Sequence, residues 1–403
     1  MADDLREFIL QGTFRREYLD LFLNPEPAEQ RWARHDPELG YLPSTCSIRE
    51  GLDGCCTFNT FAPDGSRRMI QFAERPCRVN TYGDSFTQCD QVSDGETWQE
   101  YLAGHIGEPI RNFGVSSFGV YQAFLRARRE ESGPRAAGVV VLNIYHDDHH
   151  RNLEACRWLH CGFNCLPDVA HRRKHFFGVP WAHLRFDIDS GGFEELPNPA
   201  PEPDDLYELC EPDAMYERFR HDRQVRLDLL ERGGQVDETG DLQAIAAALG
   251  LDADLGNPER RAADARRISD ACSLRSTCHV LDLAADWAKS NGKRLVVALS
   301  YGGRKAAAAI RGEPRFDRVL LEHLERLGLV FFDGLAAHLE DWRDFSCTPE
   351  EYVRRYWIGH YAPAGNHFFA FAISGVLVAT LDPPPPALAG DGTSLRAWAE
   401  SRA

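Results

Sequence analysis

Two short segments far apart in the chain carry the residue types of a nucleophile and a base. Gly83-Asp84-Ser85-Phe86-Thr87 places a serine in a tight turn, and Gly359-His360-Tyr361 places a histidine near the end of the chain. A serine hydroxyl becomes a nucleophile when an imidazole takes its proton, and backbone N–H groups beside it can hold an oxyanion. Because a Gly-Asp-Ser turn alone is a weak signal, the elements around it decide whether this chemistry is available.

From Cys77 onwards the sequence alternates between apolar, β-branched runs and helical patterns. This alternation predicts a parallel sheet with helices on both faces, an α/β fold with a three-layer α/β/α architecture. Ser85 would then follow the first strand, at the carboxyl edge where ligands bind in such folds. The predicted strands are 78–82, 109–113, 138–145, 294–299 and 329–332, and the predicted helices between the first three are 96–106 and 121–129.

The strand and helix pattern also predicts how the chain is divided. Residues 1–76 are turn-rich and are predicted to be an N-terminal extension, and the α/β domain is predicted from 77–150 and 291–386. Residues 151–290 contain helical blocks and several prolines, which indicates a mostly helical insertion at the position of a lid. Residues 387–403 follow a run of four prolines and are predicted to be a C-terminal tail.

Composition limits the partners of the chain. Among its 403 residues 62 are acidic and 45 are basic, a net charge of −17, which disfavours nucleic acid because such binding depends on clustered cations. The first residues carry acid rather than the basic start of an export signal, so we expect a cytoplasmic protein with reduced cysteines. The apolar run from Phe368 to Leu381 is too short to span a bilayer and is predicted to be a buried helix.

Asn112-Phe113-Gly114-Val115-Ser116-Ser117 adds a third segment, in which a predicted strand enters a glycine-containing loop. Taken in order with the Ser85 and His360 segments, it resembles the SGNH (GDSL-type) hydrolase superfamily of serine esterases and lipases. The resemblance covers about residues 77–150 and 293–381.

The resemblance implies a role for each matching residue. Ser85 matches the nucleophile and His360 the general base, and the backbone N–H groups of Ser85 and Ser117 match two oxyanion donors. Asp84 and Gly119 are neighbours of this predicted site. The implied reaction is hydrolysis of a carboxylic ester, with a short-chain acyl or O-acetyl group on a small molecule or carbohydrate, and it requires no cofactor.

Two positions depart from the family pattern. Asp147 occupies the place of an asparagine that donates to the oxyanion, and an ionised carboxylate cannot donate. Either Asp147 points away from the site, or another group such as His146, His149 or Asn143 donates in its place. Trp357 occupies the place of the acid that orients the histidine. A serine–histidine dyad is then the simplest arrangement, with His360 oriented by a backbone carbonyl or by a carboxylate such as Asp341 or Asp344.

Other functions stay open at this stage. An O-acyltransferase would use the same Ser85 and His360, and a non-catalytic binding protein on the same scaffold would explain the departures at Asp147 and Trp357. The runs His146–His150 and Cys156–Cys165 contain metal-capable side chains, but their spacing favours a polar rim and free thiols, so no metal is predicted. Cys89 is expected to pack rather than to react.

Overall fold

The computed structural model describes residues 4–24, 33–161, 178–385 and 387. They form two compact units, each built from two stretches of chain. The described parts of Met1–Ser44 and His149–Val280 form the first, called here the helical unit. The described parts of Thr45–Asp148 and Leu281–Ala403 form the second, called here the sheet unit.

The elements of both units are numbered in chain order. The strands are β1 Ala33–Asp36, β2 Gly40–Pro43, β3 Cys46–Ile48, β4 Thr57–Asn59, β5 Val79–Tyr82, β6 Ile110–Asn112, β7 Val139–Tyr145, β8 His183–Phe186, β9 Phe193–Leu196, β10 Arg294–Ser300 and β11 Val330–Asp333. The helices are α1 Asp4–Leu10, α2 Arg16–Leu23, α3 Ser85–Gln88, α4 Trp98–Ile106, α5 Val120–Glu130, α6 Asp148–Arg151, α7 Arg157–Cys161, α8 Pro203–Glu208, α9 Pro212–Phe219, α10 Arg223–Glu231, α11 Gly240–Ala248, α12 Arg261–Ser290, α13 Gly303–Ile310, α14 Arg318–Leu327, α15 Gly334–Trp342, α16 Pro349–Tyr356 and α17 Pro363–Thr380.

The sheet unit contains a five-stranded sheet in the order β11-β10-β7-β5-β6, and every neighbouring pair is parallel. All five strands lie within two residues of the ranges predicted from the apolar runs. The central strand β7 is buried along almost its whole length, as its Val139-Val140-Val141-Leu142 core requires when helices cover both faces. An α/β fold with a parallel sheet is thus confirmed.

The strand order places helices on opposite sides of the sheet. From β5 the chain passes through α4 to the edge strand β6, and from β6 it returns through α5 to β7 on the other side of β5. Because crossovers between parallel strands are right-handed, a reversal of direction transfers the connecting helix to the opposite face. The order is therefore consistent with three layers, and its reversal point lies between β5 and β7, where clefts form in such sheets.

The last helix, α17, begins at Pro363, five residues earlier than the apolar run suggested. Phe369, Ala370, Ile373 and Leu377 are buried, whereas Phe371 is 47% exposed, so the expectation of a buried helix holds for one face only. In the described part of the chain α17 is the helix that is long and apolar enough to cross a membrane by length and composition, which is weak evidence because core helices pass the same test.

The helical unit contains a β-hairpin as well as helices. Strands β8 and β9 pair antiparallel within the segment that was predicted to be mostly helical. One of the helical blocks of this segment, residues 213–232, consists of two helices, α9 and α10. The chain turns at residues 220–222, and Asp222 caps α10 by accepting the Val225 N–H.

Candidate functional site

Ser85 begins the short helix α3 directly after the turn that ends β5. Gly83 is required there because a Cβ would lie 2.2 Å from Thr87 Oγ1 and 2.4 Å from the carbonyl oxygen of Asn143. Asp84 caps α3 by accepting the Phe86 N–H at 2.9 Å and is completely buried. These contacts hold Ser85 at the carboxyl end of β5, next to the reversal point of the sheet.

The structure brings Ser85 and His360 together although 275 residues separate them. Nε2 of His360 lies 2.8 Å from Oγ of Ser85. The same hydroxyl lies 3.1 Å from Oδ2 of Asp84, so its single hydrogen has two possible acceptors, of which the imidazole is the closer. The distance to Nε2 lies within the range over which a general base takes a proton from its nucleophile.

His360 is oriented by Gln91, a residue that the sequence analysis missed. Oε1 of Gln91 accepts the backbone N–H of His360 at 2.8 Å and lies 3.0 Å from its Nδ1. Because a backbone N–H is always a donor, the amide oxygen, and not the amide nitrogen, must face His360. Nδ1 therefore carries the hydrogen of the neutral ring, and Nε2 presents its lone pair to Ser85.

Trp357, at the acid position of the family pattern, and the two carboxylates proposed as acceptors have other contacts in the sheet unit. Trp357 is buried and donates its indole N–H to the carbonyl of Tyr301 at 3.2 Å. Asp341 accepts the hydroxyls of Tyr352 and Tyr356, each at 2.9 Å. Asp344 is exposed, and within the described residues it forms no hydrogen bond with His360. The expectation that a backbone carbonyl or one of these carboxylates orients His360 is therefore corrected: the group that orients it is the side-chain amide of Gln91.

Gln91 lies in a strained turn, residues 88–94, called here the Gln91 turn. Both Cys89 and Gln91 adopt left-handed backbone conformations, with φ of +63° and +67°. For a residue with a side chain such a conformation costs roughly 1–2 kcal/mol, so surrounding contacts must impose it.

Arg67 imposes that conformation from outside the turn. This residue is 2% exposed, and its guanidinium donates to the carbonyls of Gln88, Cys89 and Val92. The same guanidinium donates to Oδ1 of Asp94 at 3.2 Å. One buried cation thus fixes carbonyl groups on both sides of Gln91.

The Gln91 turn also contacts the loop that follows β6. Ser116 donates its backbone N–H to Oε1 of Gln88 at 3.0 Å and its hydroxyl to Oδ2 of Asp90 at 2.5 Å. Gln88 in turn donates to Asp90 at 2.7 Å. Gly114 is required at the start of this loop, because a Cβ there would lie 2.1 Å from the backbone nitrogen of Gln88.

Ser117 adopts φ of +67°, a left-handed conformation that glycine adopts more readily. Within the described residues neither its backbone N–H nor that of Ser85 has a hydrogen-bond acceptor, which leaves both available as donors. Gly119 is different, since its N–H donates to Oε1 of Gln122 at 2.9 Å and caps α5.

The remaining residues considered as oxyanion donors are held by other partners or face solvent. Asn143 donates to Thr87 Oγ1 at 3.0 Å and accepts the Ser300 hydroxyl at 2.7 Å. His146 Nδ1 accepts the Gly302 N–H at 3.2 Å, and Asp147 is exposed. His149 belongs to the helical unit, where its Nδ1 lies 2.8 Å from Thr277 Oγ1.

Aromatic rings pack around the serine and histidine. Phe86 stacks on Tyr145 with ring centroids 4.2 Å apart, and its centroid lies 5.2 Å from that of His360. Tyr361, next to the histidine, packs edge-on against Phe86 and is fully enclosed, and burial raises the pKa of its phenol. The walls beside the Ser85–His360 pair are therefore largely apolar, which strengthens electrostatic interactions there.

A second histidine anchors the segment that carries His360. His338 is 1% exposed, with Nε2 lying 2.8 Å from the Tyr361 hydroxyl and Nδ1 3.0 Å from the Tyr352 hydroxyl. Tyr352 gives its hydrogen to Asp341, so Nδ1 of His338 donates to Tyr352 and Nε2 accepts from Tyr361. Burial lowers the pKa of His338 to about 3 and keeps the ring neutral.

The described residues give little support to a cysteine nucleophile or to a metal site. Cys89 is buried, and burial raises the pKa of its thiol to about 12, which disfavours the reactive thiolate. The thiol of Cys156 donates a hydrogen bond to the carbonyl of Gly178, and Cys165 lies outside the described residues. Among the residues that the structure describes, no three His, Cys, Asp or Glu side chains gather as a metal site would require.

No family model matches this chain, and no curated protein matches its sequence.

Proposed function

We propose that the sheet unit is a serine hydrolase that cleaves a carboxylic ester through an acyl-enzyme on Ser85. The observation that carries this proposal is the 2.8 Å contact between Ser85 Oγ and a His360 Nε2 whose lone pair is directed at it. A nucleophile, a base within reach, and a third group that fixes the tautomer of the base form the arrangement on which acyl transfer by serine depends.

In the proposed first half-reaction His360 takes the Ser85 proton on Nε2 while Oγ attacks the ester carbonyl carbon. The carbonyl oxygen becomes an oxyanion that the N–H groups of Ser85 and Ser117 stabilise. The tetrahedral intermediate then expels the alcohol, which receives the proton from Nε2. In the second half-reaction water replaces the alcohol, the same proton transfers recur, and the carboxylic acid leaves with Ser85 restored.

Gln91 would act here as a positioning residue. A neutral amide fixes the orientation and the tautomer of His360 as a carboxylate does, but it adds no negative charge beside the imidazolium that forms. The buried Asp84 carboxylate lies 3.1 Å from Ser85 Oγ, on the serine side of the reacting pair. A slower hydrolase than one with an acidic third residue is expected.

The finer assignment, to the SGNH superfamily, belongs to the same proposal. Three features support it: Ser85 follows the first strand of the sheet, position 114 has no room for a side chain, and His360 precedes the last described long helix, α17. We place the protein in the cytoplasm with a small-molecule or carbohydrate ester as substrate and with no cofactor.

The experiment is hydrolysis of p-nitrophenyl acetate by the full chain, with Ser85→Ala and His360→Ala in parallel. Ser47→Ala is the matched control, because Ser47 is an exposed serine of the same unit. We expect turnover in the parent and the control only, and labelling of Ser85 by a fluorophosphonate. A parent that neither turns over esters nor takes the label at Ser85 would contradict the proposal.

A further inference from the structure

The helical unit contains a cavity of about 220 Å³, partly open to solvent, that the proposed reaction does not use. It is larger than the ~150 Å³ engineered cavity that holds benzene. Its walls combine apolar side chains, among them Phe186, Phe219 and Ile245, with a group of polar side chains. A cavity with both kinds of wall is the usual setting for a small-molecule ligand.

Two buried acceptors in the wall lack a donor. His183 is 8% exposed and its Nδ1 lies 3.2 Å from the carbonyl of Trp181, so Nδ1 carries the hydrogen and Nε2 is an acceptor. Gln224 is 6% exposed and donates its amide to Asp228 and Ser269, each at 2.8 Å, which fixes Oε1 as the remaining acceptor. In the described part of the chain neither His183 Nε2 nor Gln224 Oε1 has a partner.

Asp222 adds a third acceptor to the same cavity. Its Oδ1 accepts the Val225 N–H at 3.0 Å, and among the described residues its Oδ2 accepts no hydrogen bond. Burial lowers the pKa of His183, which keeps its ring neutral and its Nε2 lone pair available. A primary ammonium group fits such a set, because it has three donors and no acceptor.

Two arginines in the wall suit a carboxylate. Arg223 lies 3.2 Å from Asp241 through Nε and donates through Nη1 to the carbonyl of Phe186 at 2.8 Å, while its Nη2 has no acceptor among the described residues. Arg218 donates to Glu208 at 3.4 Å and to the carbonyl of Pro199. Asp222 lies in the same wall, and each of these arginines has an acidic partner, Asp241 (shared with Arg226) or Glu208, so the lining favours a ligand with one charge of each sign over a lone anion.

We propose that this cavity binds a small apolar α-amino acid. Its ammonium group would meet His183, Asp222 and Gln224, its carboxylate would meet Arg223 and Arg218, and its side chain would pack against the apolar wall. The site is independent of the proposed ester hydrolysis, so either can fail without the other.

The test is calorimetric titration of the full chain with three molecules that share one apolar body. L-leucine carries both charged groups, 3-methylbutylamine only the ammonium, and 4-methylpentanoate only the carboxylate. We expect L-leucine to bind and the other two to bind about 10-fold or more weakly, since each loses a charge-assisted set of hydrogen bonds.

Variants locate the binding. Leu196 is a half-buried wall residue, and Leu196→Phe should fill the cavity and abolish binding, whereas Val330→Phe at an exposed position of the sheet unit should not. His183→Leu should weaken binding of L-leucine and leave that of 4-methylpentanoate unchanged. Binding that survives Leu196→Phe, an amine that binds as tightly as L-leucine, or no binding of any probe up to about 10 mM would each overturn the proposal.

Discussion

Oε1 of Gln91 accepts the backbone N–H of His360 at 2.8 Å and lies 3.0 Å from the Nδ1 atom of the same residue. One neutral oxygen therefore holds both the main chain and the ring of the histidine. Only the tautomer with hydrogen on Nδ1 satisfies this contact, and that tautomer presents a lone pair to Ser85. The orientation that a triad carboxylate normally provides is thus present without its charge.

Gln91→Glu should increase ester hydrolysis. The carboxylate would keep the contact with Nδ1 and stabilise the imidazolium formed in the transition state, a gain of about 1 kcal/mol, or roughly 5-fold in kcat. The added negative charge beside the ring favours the imidazolium, so the acidic limb of the kcat/KM profile should move to higher pH. Measurement of kcat and of the pH profile on a chromogenic ester tests both effects.

Gln91→Leu is the matched removal of the acceptor at nearly the same size. With no group fixing the tautomer, kcat should fall by about 10-fold or more while KM changes little. A Gln91→Leu variant that hydrolyses esters at the parental rate would show that Gln91 has no positioning role.

Arg67→Met should lower kcat although Arg67 touches neither Ser85 nor His360. Three carbonyls around Gln91 would lose their donor, and the Gln91 turn would relax from its left-handed conformation. Loss of a buried hydrogen-bonded cation should also lower the free energy of unfolding by about 3 kcal/mol. Because the same turn binds Ser116, the misplacement should also affect the loop after β6, which carries Ser117.

Arg126→Met separates positioning from stability. Arg126 is equally buried and donates to two backbone carbonyls, those of Phe113 and Asp64, but not to the Gln91 turn. Unfolding by urea should show similar losses for the two variants, whereas only Arg67→Met should change the pH profile of kcat. A further variant, Arg67→Ala, should regain part of its activity when guanidinium is added to the solution. Equal kinetic effects of both variants would reduce Arg67 to a structural role.

The difference between what the sequence predicted and what it missed has a physical cause. Val139-Val140-Val141-Leu142 predicts a buried strand because the pattern is local, and the turns around Gly83 and Gly114 follow because glycine marks close backbone approach. Gln91 and Arg67 carry no such local signal. Their roles come from contacts over 269 and 21 to 27 residues, and a glutamine or an arginine in a loop is compatible with many partners.

Ser117→Gly should preserve activity and increase stability. The residue adopts φ of +67°, where glycine avoids a penalty of roughly 1–2 kcal/mol, and the proposed donor is a backbone N–H that the substitution retains. Because glycine also makes the unfolded chain more flexible, the net gain in the free energy of unfolding should be about 0.5 kcal/mol. Urea unfolding and kcat together test this, and a large loss of kcat would assign the Ser117 hydroxyl a role that the backbone does not explain.

His338 should make the stability of the sheet unit depend on pH below about 6.5. Burial lowers the pKa of His338 to about 3 from the ordinary histidine value of 6.5, so between these values the unfolded chain binds a proton and the folded chain does not. Stability contributed by the neutral ring is therefore complete above pH 6.5 and decreases as the pH falls, by up to about 1.4 kcal/mol per pH unit.

His338→Gln removes the titration while it keeps a donor for Tyr352 and an acceptor for Tyr361. Between pH 7.5 and pH 5.0 the free energy of unfolding of the parent should fall about 2 kcal/mol further than that of the variant. If urea unfolding showed the same pH dependence for both proteins, His338 would take up a proton in the folded state as readily as in the unfolded chain. Its hydrogen bonds to Tyr361 and Tyr352 would then not keep the ring neutral.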